Sequence, residues 1–278
     1  MEERSLKKEI SLFMATMLVC GNMIGSGVFM LPSTLAQVSG PGATIIAWII
    51  TTIGSILIAI SFANLGTKYP STGGAYQYTK EAFGDFAGFL SAWLYWNGSW
   101  IGNAAIIVAI TSYASAVIPA LSNPMISIIF SSAILWIFTI VNILSVKIAG
   151  KLQSFVTVFK IGFFALFIIV AFLNFDNVNI LPLFPEGKGL STVPLAATST
   201  LWAFIGLESA TVAAGEIKNP EKNIRKSTIY GLIIASVIYL AISIASMGAM
   251  DNQTLANSTA PLTDILTSLE RSSINAFL

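Results

Sequence analysis

The stretch Gly21-Asn22-Met23-Ile24-Gly25-Ser26-Gly27-Val28-Phe29 sits inside an apolar run, Ile10–Leu31, long enough to cross a bilayer. A helix of about 20 residues rises about 30 Å, the thickness of the hydrocarbon layer. Glycine costs about 1 kcal/mol relative to alanine in a helix interior, so Gly25-Ser26-Gly27 weakens the ladder near mid-depth. Unwound backbone there is tolerated only where protein or a water-filled cavity receives its polar groups. The pattern recurs in the run Val193–Ala214, which carries Phe204-Ile205-Gly206 followed by Glu208. Half-helix N-termini offer N–H groups to a carboxylate and freed carbonyls accept from an ammonium, so two facing breaks form a receptor for an α-amino acid. The competing reading is that these glycines only permit close helix packing.

Outward from these two runs the chain repeats the same theme. Of 278 residues, 55% are hydrophobic and 10% charged; a soluble domain carries roughly 25% charged residues to solvate its surface. Seven apolar runs are separable: Ile10–Leu31, Ala43–Leu65, Phe86–Ile118, Pro124–Val146, Leu152–Leu173, Val193–Ala214 and Ser227–Met250, with the stub of an eighth from Ser273. The composition therefore predicts an all-α integral membrane protein of about seven spans. Residues 1–9 run directly into the first span without a cleavage pattern, so that span reads as retained. Asn219-Pro220-Glu221 reads as a turn opening the seventh span through a short amphipathic helix.

Basic residues orient the spans. Arg4, Lys7 and Lys8 precede span 1, Lys68 and Lys80 separate spans 2 and 3, Lys147 and Lys151 separate spans 4 and 5, and Lys218, Lys222, Arg225 and Lys226 separate spans 6 and 7. Eleven of the fourteen Lys and Arg thus fall on one side, against Lys188 and Arg271 on the other. The positive-inside rule makes that side, and the N-terminus, cytoplasmic, in a multi-pass protein of the cell inner membrane.

Spans 1 and 6 are five apart and cross in opposite directions, the arrangement of an inverted repeat whose broken first helices meet at the substrate site. Within the spans, Glu208 and Lys160 are ionisable, and such groups cost on the order of 3 kcal/mol by insertion scales. Glu208 is either a functional carboxylate or one that is protonated or bonded to the broken backbone. With no histidine and Cys20 as the only cysteine, intrachain disulfides, zinc clusters and Cys/His catalysis are excluded. No nucleophile–base pair supports an enzyme, no cofactor is expected, and a net charge of +1 gives no reason to propose nucleic acid. The lipid bilayer and a small-molecule substrate are the expected partners.

Several motifs carry a family resemblance. Gly21–Phe29 ending at Leu31-Pro32, Pro70-Ser71-Thr72-Gly73-Gly74-Ala75-Tyr76 after span 2, Leu201-Trp202-Ala203-Phe204-Ile205-Gly206-Leu207-Glu208-Ser209, and Glu216-Ile217-Lys218-Asn219-Pro220 together resemble the amino acid–polyamine–organocation (APC) permeases, nearest the arginine/agmatine antiporter branch. The resemblance implies alternating-access transport, with arginine exchanged for agmatine. It implies that Ser26 and the Gly27 amide hold the substrate carboxylate. Carbonyls of Met23, Trp202 and Ile205 receive its amino group, and Trp202 stacks on a guanidinium. Asn103, aided by carbonyls of Gly98 and Ser99, binds the distal end, while Tyr95 and Glu208 gate and couple. For Trp202 and Tyr95 the alternative is ordinary aromatic packing; for Asn103 it is an interhelical hydrogen bond. Lys160 departs from the branch and is more similar to proton-coupled permeases, acting either as a proton switch or as a cationic tether to the unwound span 1. That leaves proton-coupled symport as the rival to antiport.

The resemblance also implies a LeuT-like fold of two inverted five-span repeats plus two trailing helices. Residues 1–278 would then be one truncated domain holding about 7 of 12 spans. Such a chain is not expected to transport efficiently alone. A homodimer copy or a complementary C-terminal fragment are its candidate partners, and a non-functional or split-permease fragment is the remaining alternative.

Overall fold

A computed structural model describes residues 7–25, 27–115 and 118–268. Among these residues the fold is helical, and the β pairing it contains is an isolated parallel bridge between Ile10 and Ile217. Arg4, Arg271 and the stub from Ser273 lie outside the described residues.

The helices are α1 (Leu12–Met23), α2 (Gly27–Val38), α3 (Pro41–Lys68), α4 (Ala75–Phe83), α5 (Asp85–Ser115), α6 (Pro124–Leu144), α7 (Val146–Leu173), α8 (Asn177–Ile180), α9 (Val193–Trp202), α10 (Ser209–Val212), α11 (Pro220–Ala249) and α12 (Asn252–Asn257). Local chemistry starts several of them. Ser11 caps α1 by accepting from the Met14 N–H, Asn123 caps α6 through Met125, and Ser145 caps α7 through Ile148. Each supplies an oxygen to one of the donors that a helix start leaves unpaired.

Among the described residues, five stretches are long and apolar enough to cross a membrane: Leu12–Val38, Pro41–Lys68, Pro124–Leu144, Val146–Leu173 and Pro220–Ala249. The two other expected runs fall on α5, a single helix of 31 residues, and on the interrupted stretch α9–α10. The seventh run and its expected amphipathic lead-in are one continuous helix, α11. Span 1 runs past its expected end at Leu31, because α2 carries Pro32 in its interior and continues to Val38. Partners far along the chain sustain that extension. The Ser33 hydroxyl donates to the Ser258 carbonyl (2.8 Å) and the Gln37 amide to the Ala256 carbonyl (2.7 Å).

The core forms where α11 packs on α3, α1 and α7. Its centre is aromatic: the Trp48 and Tyr239 rings stack at 5.3 Å, and Phe204 meets both edge-on at 6.0 and 5.8 Å. The Trp48 indole N–H donates to Ser243 Oγ (2.8 Å), so the polar handle of the buried ring is satisfied. Helices α5 and α6 lie at the periphery, α6 without a buried residue.

Segments expected on one side of the membrane meet at one end. The Ile10 N–H donates to Glu216 O and the Lys218 N–H to Ile10 O, both at 2.9 Å; the Gly73 N–H donates to Val212 O and the Thr67 hydroxyl to Glu221 O, both at 3.2 Å. The N-terminus, the loop between spans 2 and 3 and the loop between spans 6 and 7 are thereby neighbours. At the other end the Lys188 ammonium donates to Ala36 O, near the end of α2, and to Asn252 Oδ1.

Candidate functional site

Both expected interruptions are present. Helix α1 stops at Met23; the Gly25 N–H turns back onto Met23 O (2.8 Å), and α2 begins at Gly27. Helix α9 stops at Trp202, and the N–H groups of Ala203, Phe204 and Ile205 each reach back three residues. Gly206 then adopts φ +111°, and Glu208 occupies the N-cap position of α10. A φ of that kind is open to glycine and strained for other residues.

The backbone groups freed by these breaks have partners. The Lys160 ammonium, on α7, donates to the carbonyls of Gly21 (3.0 Å) and Ile24 (2.6 Å). The Tyr239 hydroxyl, on α11, donates to Ala203 O (3.0 Å), and the Ser209 hydroxyl to Gly206 O (2.6 Å). The Gly206 N–H donates to Glu208 Oε2 (3.1 Å). Such satisfaction is what makes broken backbone tolerable at membrane depth.

The two breaks touch. The Asn22 amide donates to Ser209 Oγ at 2.8 Å. A β-carbon on Gly206 would stand 3.0 Å from the Asn22 carbonyl carbon, its Cβ and the Met23 nitrogen. Gly206→Ala is therefore expected to lower stability by about 2 kcal/mol, combining backbone strain with a contact the neighbouring main chain cannot yield. Thermal unfolding in detergent measures it, and an unchanged midpoint would show that the breaks can separate freely.

Between the breaks and α5 lies an open cavity of about 730 Å³. Met23, Gly27, Trp202, Ile205 and Glu208 line it from the breaks; Tyr95, Gly98, Ser99 and Asn103 line it from α5. The Tyr95 hydroxyl donates to Glu208 Oε1 (3.3 Å), and the Ser99 hydroxyl is turned onto its own helix, to Tyr95 O (2.7 Å). Helix α5 is unbroken through Gly98 and Ser99, so a ligand could only share their carbonyls with the helix ladder. The Trp202 ring lies against Gly27, where a β-carbon would run into it, yet remains 59% exposed. Glu208 is the one acidic residue on this lining, and no Lys or Arg joins it among the described residues. Lys160 is not on this lining and reaches the break from α7. Ser26 lies outside the described residues.

Sequence reasoning passed over three residues here. Asn22 and Ser209 stitch the two breaks together, and Tyr239 closes a carbonyl at the end of α9. The signal was present: a polar side chain in the middle of an apolar run needs a partner.

A family model described as amino acid permease matches residues 10–272. The chain belongs to that family. The permease is 35% identical over 263 residues to the cadaverine/lysine antiporter of Escherichia coli (strain K12), covering 92% of this chain and 58% of the relative. It is 31% identical to the putative arginine/ornithine antiporter of Bacillus subtilis (strain 168), over 93% of this chain and 61% of the relative. It is 32% identical to the putrescine transporter of Haemophilus influenzae, over 91% of this chain and 58% of the relative. The chain thus spans about three fifths of the length of these curated relatives. Family membership and the apolar helices give it a multi-pass membrane transporter fold, incomplete relative to these relatives.

Proposed function

We propose that this chain carries the substrate site of an antiporter exchanging a basic amino acid for an amine or a second basic amino acid across the cytoplasmic membrane. One observation supports it above the rest: among the described residues, a cavity flanked by two chain breaks has Glu208 as its only charged lining residue. In a low-dielectric cavity one carboxylate favours a cation strongly, while the α2 N-terminus at Gly27 favours the α-carboxylate of an amino acid. Putrescine, cadaverine, lysine, ornithine and arginine in the relatives' names all end in an amine or guanidinium. Arginine with agmatine is the pair this reading takes, with Trp202 stacking on the guanidinium and Asn103 meeting its far end. Stacking of this kind contributes about 0.5–2 kcal/mol. Ser26 and the Gly27 amide hold the carboxylate; carbonyls of Met23, Trp202 and Ile205 face the amine. The basic loops set the N-terminus on the cytoplasmic side.

Reconstituted into liposomes together with a fragment supplying the remaining length of the relatives, the chain is expected to take up labelled arginine only when agmatine or another basic counter-substrate is inside. Uptake into empty vesicles that follows an inward proton gradient would select symport instead. That second reading draws on Lys160, whose ammonium holds the carbonyls of the span 1 break. Binding of neither arginine nor agmatine would sink both.

A further inference from the structure

Helix α10 has four residues, too few to hold itself, since a first helical turn fixes about three residues for one hydrogen bond. Yet Glu208, at its N-cap, carries the charge of the cavity. The first residue of α10 is tied to α1 by the Asn22–Ser209 bond, and its far end meets the turn after span 2. The Gly73 N–H donates to Val212 O, at the far end of α10 (3.2 Å). Gly73 and Gly74 have φ +120° and +49°, conformations that favour glycine. A β-carbon on Gly74 would stand 2.8 Å from Thr211 Oγ1 and 3.2 Å from the Val212 nitrogen, so the turn lies flush against the α10 backbone. Thr211 is fully buried, and both its hydroxyl (2.6 Å) and its N–H (2.8 Å) donate to the Glu208 carbonyl. On its other side the turn shares the wall of a cavity of about 210 Å³ with Tyr76, Val212 and Tyr95, the last being the donor to Glu208. The turn therefore touches the helix that Glu208 caps and lies across a small cavity from Tyr95.

We propose that the Gly73-Gly74 turn is a positioning element for Glu208, setting through Thr211 and Val212 where the carboxylate meets a bound cation. This deepens the antiporter reading and rests on it. It assigns the turn a role in cation affinity that needs no contact with the ligand.

The test is a double-mutant cycle read by agmatine titration in detergent, paired with hydrogen exchange of residues 206–212 in ligand-free protein. Gly74→Ala is expected to speed exchange in that segment and weaken agmatine binding about tenfold, the scale of one misplaced charge-assisted hydrogen bond. In a Glu208→Gln background it is expected to add almost nothing, because groups acting through one another are not additive. Should Gly74→Ala not fold, Thr211→Val, which keeps the shape and removes the hydroxyl, enters the same cycle. Equal losses in both backgrounds, or unchanged exchange, would overturn the proposal. If the unaltered chain binds no agmatine, the antiporter reading fails, and exchange decides the turn by itself.

Discussion

Glu208→Gln is expected to weaken agmatine binding about a hundredfold while leaving thermal unfolding nearly unmoved. The carboxylate is held between the Tyr95 hydroxyl and the Gly206 N–H, in a cavity with no other charged lining residue among those described. A charge-assisted hydrogen bond is roughly twice as strong as a neutral one. Opposite charges about 5 Å apart at an effective dielectric near 20 attract by about 3 kcal/mol. Losing most of that is about 2–3 kcal/mol, the stated factor. Glutamine keeps the volume; its single carbonyl oxygen can accept from the Gly206 N–H while its NH2 donates to a Tyr95 hydroxyl turned to accept, so the fold is spared. Calorimetric titration with agmatine, and with a neutral amino acid as control, separates charge from shape. A change below threefold would remove Glu208 from contact with the ligand.

Lys160→Met is expected to cost about 3 kcal/mol of stability and to lower the unfolding midpoint by roughly 5–10 °C. The methionine stem fills the same space, so the loss comes from the head group. Two carbonyls, of Gly21 and Ile24, lose a charged donor at 3.0 and 2.6 Å, and each orphaned acceptor costs about 1–3 kcal/mol. Relief from burying an ammonium offsets part of this. The substitution should also loosen α1, raising hydrogen exchange at residues 20–25. An unchanged midpoint would mean that the carbonyls have other partners. In liposomes the same variant divides the two transport readings: loss of dependence on a proton gradient belongs to symport, and unaltered exchange to antiport.

The breaks themselves were legible because they are local. Gly25 and Gly27 lie two apart in one apolar run, and Gly206 with Glu208 lies in another, so propensity and burial cost point to the same places. The helix extents were less legible where contacts at long sequence separation decide them. Continuation of α2 past Pro32 depends on Ser258 and Ala256, more than two hundred residues onward. Such partners leave no trace in a local window. Met23, Gly27, Trp202, Ile205, Glu208, Tyr95, Gly98, Ser99 and Asn103 fall on one cavity lining, since position along a helix fixes depth. The direction of individual groups does not follow from depth. Ser99 turns to its own backbone, Trp202 rests on Gly27, and Lys160 donates to the carbonyls of Gly21 and Ile24. Rotamer and crossing angle decide those, and the one-dimensional pattern is silent on both.

The parallel bridge between Ile10 and Ile217 has a consequence for biosynthesis. The two residues it joins lie more than two hundred positions apart, so the first crossing enters the membrane long before the segment that pairs with it has been translated. Until then α1 must be retained by its own apolar surface, and the clasp that fastens it to the far segment can close only after the sixth crossing has been delivered. A ribosome stalled before residue 217 should therefore present a nascent chain whose N-terminal residues remain open to protease.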